Sequence, residues 1–86
     1  MPILQKEVKT VIAALQNAGY SPYLVGGCVR EMLRGKEPSD YDMTSDAPPE
    51  EVLRIFGESA HPTGLPHGTV TVVSGGLPIE LTTMRR

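Results

Sequence analysis

The sequence lacks the features of a membrane or secreted protein. No apolar run approaches the roughly 18 residues that a transmembrane helix needs, and no secretory signal is recognisable. A single cysteine, Cys28, cannot form an internal disulfide. We therefore expect a cytoplasmic protein without a membrane partner.

The sequence also lacks an excess of basic residues. Eight Lys and Arg stand against ten Asp and Glu, which gives a formal net charge of -2 and a pI near 5.6. A protein that binds nucleic acid by itself usually carries a basic excess that displaces counterions from the phosphates. If RNA is a partner, we expect most of its binding surface to lie outside this chain.

The 86 residues, 40% of them hydrophobic, have room for one domain with a thin core. The hydrophobic period changes at Gly, Pro and Asp clusters, so the predicted elements are short. We expect helices over 3–18, between Gly27 and Gly35, and from Pro48 to Gly57, and strands over 20–25, 40–45, 68–73 and 79–84. The last two strands flank a Ser-Gly-Gly turn and form a hairpin, whose second strand we expect to leave an exposed edge. The predicted fold is α+β, a small mixed or antiparallel sheet with helices packed on one face.

Alternation along the three predicted central strands separates apolar from polar side chains. One face collects Tyr41, Met43, Val70, Val72, Ile79 and Leu81. The opposite face carries three carboxylates, Asp40, Asp42 and Glu80. The pattern predicts one buried face and one open, acidic face.

Asp40 and Asp42 stand two residues apart on one strand, which brings like charges close together unless a cation neutralises them. Carboxylate oxygens suit Mg²⁺, and a third acid from a neighbouring strand would complete a two-ion site for phosphoryl or nucleotidyl transfer. The spacing alone is equally compatible with two solvated strand residues.

Gly26 and Gly27 stand where a predicted strand turns into a helix. Backbone N–H groups and a missing Cβ at such a turn allow a phosphate to approach closely, and Arg30 could hold a triphosphate. In most small domains a Gly-Gly pair is only a tight turn, and such an arginine is only solvated. The order strand, Gly-Gly, helix and Asp-x-Asp strand favours the phosphate interpretation.

The ordered motifs resemble the head domain of the class II CCA-adding enzymes and bacterial poly(A) polymerases, within the DNA polymerase β nucleotidyltransferase superfamily. The motifs that carry this resemblance are spread along nearly the whole chain: Leu24–Arg30, Asp40–Asp42, Asp46–Val52, His67–Val72 and Ile79–Arg85. The resemblance implies that Gly26, Gly27 and Arg30 bind the nucleoside triphosphate and that Asp40 and Asp42 hold catalytic Mg²⁺. It implies that Glu80 is the family's acid beside that site.

The activity implied by the resemblance is transfer of CMP or AMP from CTP or ATP to a tRNA 3′ end, with release of pyrophosphate. The family continues into a neck that selects the base and into body and tail segments that hold tRNA. We therefore expect residues 1–86 to be a nucleotidyltransferase head domain, a fragment lacking neck, body and tail. The alternatives are an inactive fragment that binds nucleotide and Mg²⁺, and the head of a poly(A) polymerase.

Overall fold

The computed structural model describes residues 5–36 and 41–84, which form three α-helices and five β-strands. The helices are α1 (Lys6–Asn17), α2 (Gly27–Leu33) and α3 (Pro49–Phe56), and the strands are β1 (Pro22–Val25), β2 (Tyr41–Ser45), β3 (Ala60–Gly64), β4 (Thr69–Ser74) and β5 (Leu77–Thr83). Single 3-10 turns, Gly57–Ser59 and Leu65–His67, flank β3. Within the described ranges no helix is long and apolar enough to span a membrane.

The five strands form one mixed sheet in the order β1-β2-β5-β4-β3. Strands β2 and β5 pair in parallel, whereas the other neighbours are antiparallel. The predicted α+β fold, its hairpin and its mixed sheet are confirmed. The exposed edge predicted for the last strand is wrong, because β2 pairs with the side of β5 that the hairpin leaves free.

Strand β3 was not predicted from the sequence. Only Ala60 of its five residues is buried, and Pro62 interrupts the run. The pairing of β3 with β4 is irregular between His61 and Gly64. A short edge strand with a proline carries neither clear alternation nor an apolar run, which explains why the pattern missed it.

The hydrophobic core lies between the helices and one face of the sheet. Helix α1 contributes Val8, Val11 and Leu15, which recur every three or four residues along one stripe. They pack in one cluster with the inward-facing strand residues, which are Tyr41, Met43, Val70, Val72, Ile79 and Leu81. These are the six residues that alternation predicts to be buried, and each is at most 1% exposed.

Helix α1 is anchored at its start to two parts of the sheet. Ser74 Oγ, in β4, donates a hydrogen bond of 3.0 Å to the carbonyl of Glu7. Gln5 Nε2 donates one of 3.1 Å to the hydroxyl of Tyr41 in β2. The hydrogen bonds supplement the apolar stripe and hold the helix across the buried face.

A polar cluster joins the segment that follows α1 to α3. Tyr20 donates a hydrogen bond of 3.2 Å to Glu51 Oε1, and the Arg54 guanidinium makes two contacts of 2.7 and 3.0 Å with the same carboxylate. The hydrogen bond from Arg54 lowers the pKa of Glu51, although burial acts against it. Burial first, and then the Glu51 charge, raises the pKa of Tyr20.

The lowered pKa of Glu51 predicts a small acid-dependent loss of stability. Because the pKa is lower in the folded chain than its ordinary value of 4.5, the contribution is complete above that pH and is lost as the pH falls through the folded pKa. Thermal unfolding of Glu51→Gln should give a lower Tm than the parent chain at pH 7, and the two should converge in acid. A gap in Tm between Glu51→Gln and the parent that stays constant at every pH would contradict the linkage.

Truncation of a residue in the middle of the core should be costly. Leu81 is 1% exposed in β5, so Leu81→Ala should lower the free energy of unfolding by about 2–5 kcal/mol through lost burial and a residual cavity. Urea denaturation measures this loss. Leu33→Ala, at a residue that is 73% exposed, should change the free energy by less than about 0.5 kcal/mol.

Candidate active site

Two carboxylates lie side by side on the open face of the sheet. Asp42 in β2 pairs in parallel register with Glu80 in β5, and both side chains are exposed. Neighbouring strands are about 4.8 Å apart, so side chains that leave the same face at paired positions can converge. The predicted acidic face is confirmed for these two residues.

The register extends this pair into a row across four strands. Val25 in β1 pairs with Asp42, and Thr71 in β4 pairs with Glu80. We call Val25, Asp42, Glu80 and Thr71 the carboxylate row. An open cleft of about 360 Å³ lies over part of this row and is lined by Tyr41, Asp42, Thr71, Pro78 and Glu80.

Gly26 brings the turn after β1 against the Asp42 carboxylate. Its φ of 78° and ψ of -154° belong to a region that is essentially restricted to glycine. A Cβ at this position would lie 3.0 Å from Asp42 Oδ2. Both the backbone conformation and the close approach therefore require a residue without a side chain.

Cys28 stabilises the same turn from the buried side of the sheet. Its buried thiol donates a hydrogen bond of 3.0 Å to the carbonyl of Val25, and the sulfur lies 3.8 Å from the carbonyl of Asp42. These contacts connect the end of β1 to β2 directly beneath the site. The thiol thus has a structural position, facing away from the open face.

Gly27 and Arg30 lie on α2, which follows the turn. Gly27 is the first residue of the helix and is exposed, and no atom lies within 4 Å of a Cβ built there. Arg30 is exposed and forms no ion pair with another described residue. The structure thus brings the glycine turn to Asp42 but does not place Arg30 among the residues that line the cleft.

Asp40 belongs to residues 37–40, which are outside the described residues, so its predicted partnership with Asp42 stays a prediction. Over 5–36 and 41–84, no group of three His, Cys, Asp or Glu side chains is arranged to hold a metal ion. The donors present, Asp42 and Glu80, are exposed hard oxygen ligands of the kind that suits Mg²⁺. This donor set fits a divalent cation.

Three residues of the cleft were not predicted as site residues. Thr71 shares the polar face of β4 and could have been found from alternation. Pro78 lies two residues before Glu80 on the same face of β5, but the predicted strand begins one residue too late to include it. Tyr41 is 1% exposed and was predicted only as a core residue, yet it also lines the cleft.

Residues 22–86 match the family model of the poly A polymerase head domain. A CCA-adding enzyme of Lactobacillus delbrueckii subsp. bulgaricus is 45% identical over 85 residues, which are 99% of this chain and 19% of that protein. The structure of the Bacillus stearothermophilus CCA-adding enzyme in complex with CTP superposes with a TM-score of 0.82 and 40% identity, covering 92% of this chain and 20% of that one. A tRNA nucleotidyltransferase complexed with a primer tRNA and an incoming ATP analog gives a TM-score of 0.68 at 34% identity, covering 88% of this chain and 23% of that one. The chain thus spans about a fifth of the length of the curated relatives that it matches.

The two glycines of the turn should respond differently to a methyl group. Gly26→Ala should lower the free energy of unfolding by about 1–3 kcal/mol because of its backbone conformation, and should displace the Asp42 carboxylate. Gly27→Ala, in open space at the start of a helix, should leave the free energy unchanged or raise it by up to about 1 kcal/mol. Urea denaturation and the NMR shift of the Asp42 amide test both effects, and equal results for the two variants would contradict the geometry.

Proposed function

The chain belongs to the poly A polymerase head domain family, and we propose that it is the catalytic core of a template-independent RNA nucleotidyltransferase that adds CMP and AMP to a tRNA 3′ end. The pairing of Asp42 with Glu80 beside the Gly26 turn carries this proposal. The names of the relatives support the substrate class, since they include CCA-adding enzymes and complexes with CTP and primer tRNA.

Asp42, together with Asp40, would hold Mg²⁺, and Glu80 would add a third carboxylate from the neighbouring strand. Bound there, the metal would help to deprotonate the attacking 3′ hydroxyl and to neutralise the charge on the leaving pyrophosphate. The chain's own contribution is to hold acidic oxygens at a fixed separation on a rigid sheet. The exposure of Asp42 and Glu80 supports this role, because a cation can reach both from solvent.

The glycine turn would receive the triphosphate. The absence of a side chain at Gly26 and Gly27 leaves room for phosphate oxygens to approach the backbone next to Asp42. Arg30, exposed on the helix that begins at this turn, is the cation proposed to contact the phosphates. The position of Gly26 against the Asp42 carboxylate supports this assignment, because the metal and the triphosphate must meet.

We place base selection and most of the tRNA-binding surface outside these 86 residues, and propose that this chain is the head domain of a longer enzyme. The net charge of -2 supports this division, since the catalytic face is acidic and a tRNA surface needs basic residues. The chain spans about a fifth of the length of its curated relatives, which agrees with this division. The head of a poly(A) polymerase is the closest alternative, because the matching family model carries that name.

A second candidate function is binding without transfer. The same net charge favours it, because the 86 residues alone have little electrostatic attraction for an RNA acceptor. In that case the chain would bind CTP or ATP with Mg²⁺ but would not join the nucleotide to RNA.

One experiment separates the two functions. The 86-residue chain is incubated with labelled CTP or ATP, Mg²⁺ and a tRNA that lacks its terminal CCA, and label is followed into RNA. Incorporation of label supports the nucleotidyltransferase. Metal-dependent nucleotide binding without incorporation supports binding alone, and the absence of both would overturn the assignment of the site.

The variant Asp42→Asn should separate function from folding. The loss of a charged oxygen ligand should weaken Mg²⁺-dependent CTP binding by more than about tenfold. The Tm should hardly change, because the carboxylate is exposed and no hydrogen bond from a described residue holds it. Calorimetric titration and thermal unfolding measure the two effects. Glu50→Gln, which removes an exposed carboxylate from α3, is the matched control and should bind CTP like the parent chain.

A further inference from the structure

A second row of residues crosses the open face beside the carboxylate row. Tyr23 in β1 pairs with Thr44 in β2, Thr44 pairs with Thr82 in β5, and Thr82 pairs with Thr69 in β4. We call these four residues the hydroxyl row. Since Tyr23 precedes Val25 by two residues and Gly26 follows Val25, the hydroxyl row lies on the side of the carboxylates away from the glycine turn.

Tyr23 is the aromatic residue that this row exposes. Its side chain is 56% exposed, and Val25, on the same face of the edge strand, is 37% exposed. The hydroxyls of Tyr20 and Tyr41 are hydrogen-bonded to Glu51 and Gln5, whereas Tyr23 has no such bond to another described residue. An exposed aromatic ring at the margin of an acidic site offers an apolar, planar surface on which a base can stack.

The register fixes the distance of Tyr23 from the carboxylates. Tyr23 pairs with Thr44, so Asp42 is its diagonal neighbour on the same face of the sheet. Such neighbours lie roughly 7–8 Å apart, which is within reach of an aromatic side chain. A nucleotide whose reacting atoms lie over Asp42 could therefore place its base on the Tyr23 ring.

In nucleotidyl transfer the attacking hydroxyl and the leaving pyrophosphate lie roughly in line, on opposite sides of the reacting phosphorus. If the glycine turn holds the leaving phosphates, as the proposed function assumes, the acceptor approaches from the side of the carboxylates away from that turn, and the hydroxyl row borders this side. From this we infer that Tyr23 stacks on the base of the 3′-terminal nucleotide of the acceptor RNA. The inference rests on the proposed function and adds the surface that receives the acceptor.

The remainder of the hydroxyl row suits an RNA strand. Thr69 and Thr82 share a hydrogen bond of 3.0 Å between their hydroxyls, and no member of the row carries a charge. A phosphate over this row would lie two residues along the strands from Asp42 and Glu80, and therefore farther from their charges than a phosphate over the carboxylate row. Base stacking on aromatic side chains is a common way for proteins to bind single-stranded RNA ends, and it tolerates different bases.

The test uses the 86-residue chain and an RNA trinucleotide with a free 3′ hydroxyl, titrated by NMR in the presence of Mg²⁺. Binding should shift the ring protons of Tyr23 and the amide signals of the hydroxyl row. Tyr23→Thr keeps a strand-forming residue but removes the ring, and should weaken trinucleotide binding by about tenfold or more. Tyr23→Phe keeps the ring and should bind within about twofold of the parent chain. A Tm close to that of the parent for both variants shows that the exposed edge strand is intact.

CTP binding separates this inference from the proposed function. The parent, Tyr23→Phe and Tyr23→Thr chains should all bind CTP equally with Mg²⁺. If the parent fails to bind CTP, the proposed function is overturned. If CTP binds but the trinucleotide does not, or binds Tyr23→Thr as tightly as the parent, only the assignment of Tyr23 is overturned. A loss of CTP affinity in Tyr23→Thr with unchanged trinucleotide affinity would overturn it in favour of a contact with the incoming base.

Discussion

The parallel pairing of β2 with β5 is the constraint on which the candidate site depends. It sets Asp42 beside Glu80, although 37 positions of sequence separate them, and it places β5 in the middle of the sheet. A parallel pair needs a long crossover, and α3, β3 and β4 all lie within it. The elements between the two carboxylates thus supply two strands of the sheet and one helix of the layer that covers it.

One sheet serves two purposes because successive side chains of a strand point to opposite faces. The inner residues, such as Met43 and Leu81, pack beneath the helices, while their neighbours Asp42 and Glu80 face solvent. A small domain with a thin core gains from this division, because charged oxygens that bind a cation need no space within the core. A ligand that binds the acidic face only in the folded chain would add to the stability of the fold.

The turn between β1 and α2 is the second feature that the site requires. Gly26 adopts a backbone conformation that other residues avoid, and a Cβ at this position would lie 3.0 Å from Asp42 Oδ2. The buried Cys28 thiol holds the carbonyl of Val25 from the opposite side. Phosphate approach at this turn and metal binding at Asp42 are thereby proposed for neighbouring positions, and the edge strand leading into the turn presents the exposed Tyr23.

Alternation and turn residues in the sequence were enough to separate the faces of the central strands, to place the helices and the hairpin, and to single out Asp42, Glu80 and the glycine turn. These features depend on residues close together in the chain, where local geometry determines which way a side chain points. Only the tertiary structure shows the strand order and the pairing of Asp42 with Glu80. It also shows how close Gly26 lies to the Asp42 carboxylate, and that β3 is an edge strand of the sheet. They depend on which distant strands pair and in what register, and that choice is made by the packing of the whole core, which no local pattern contains.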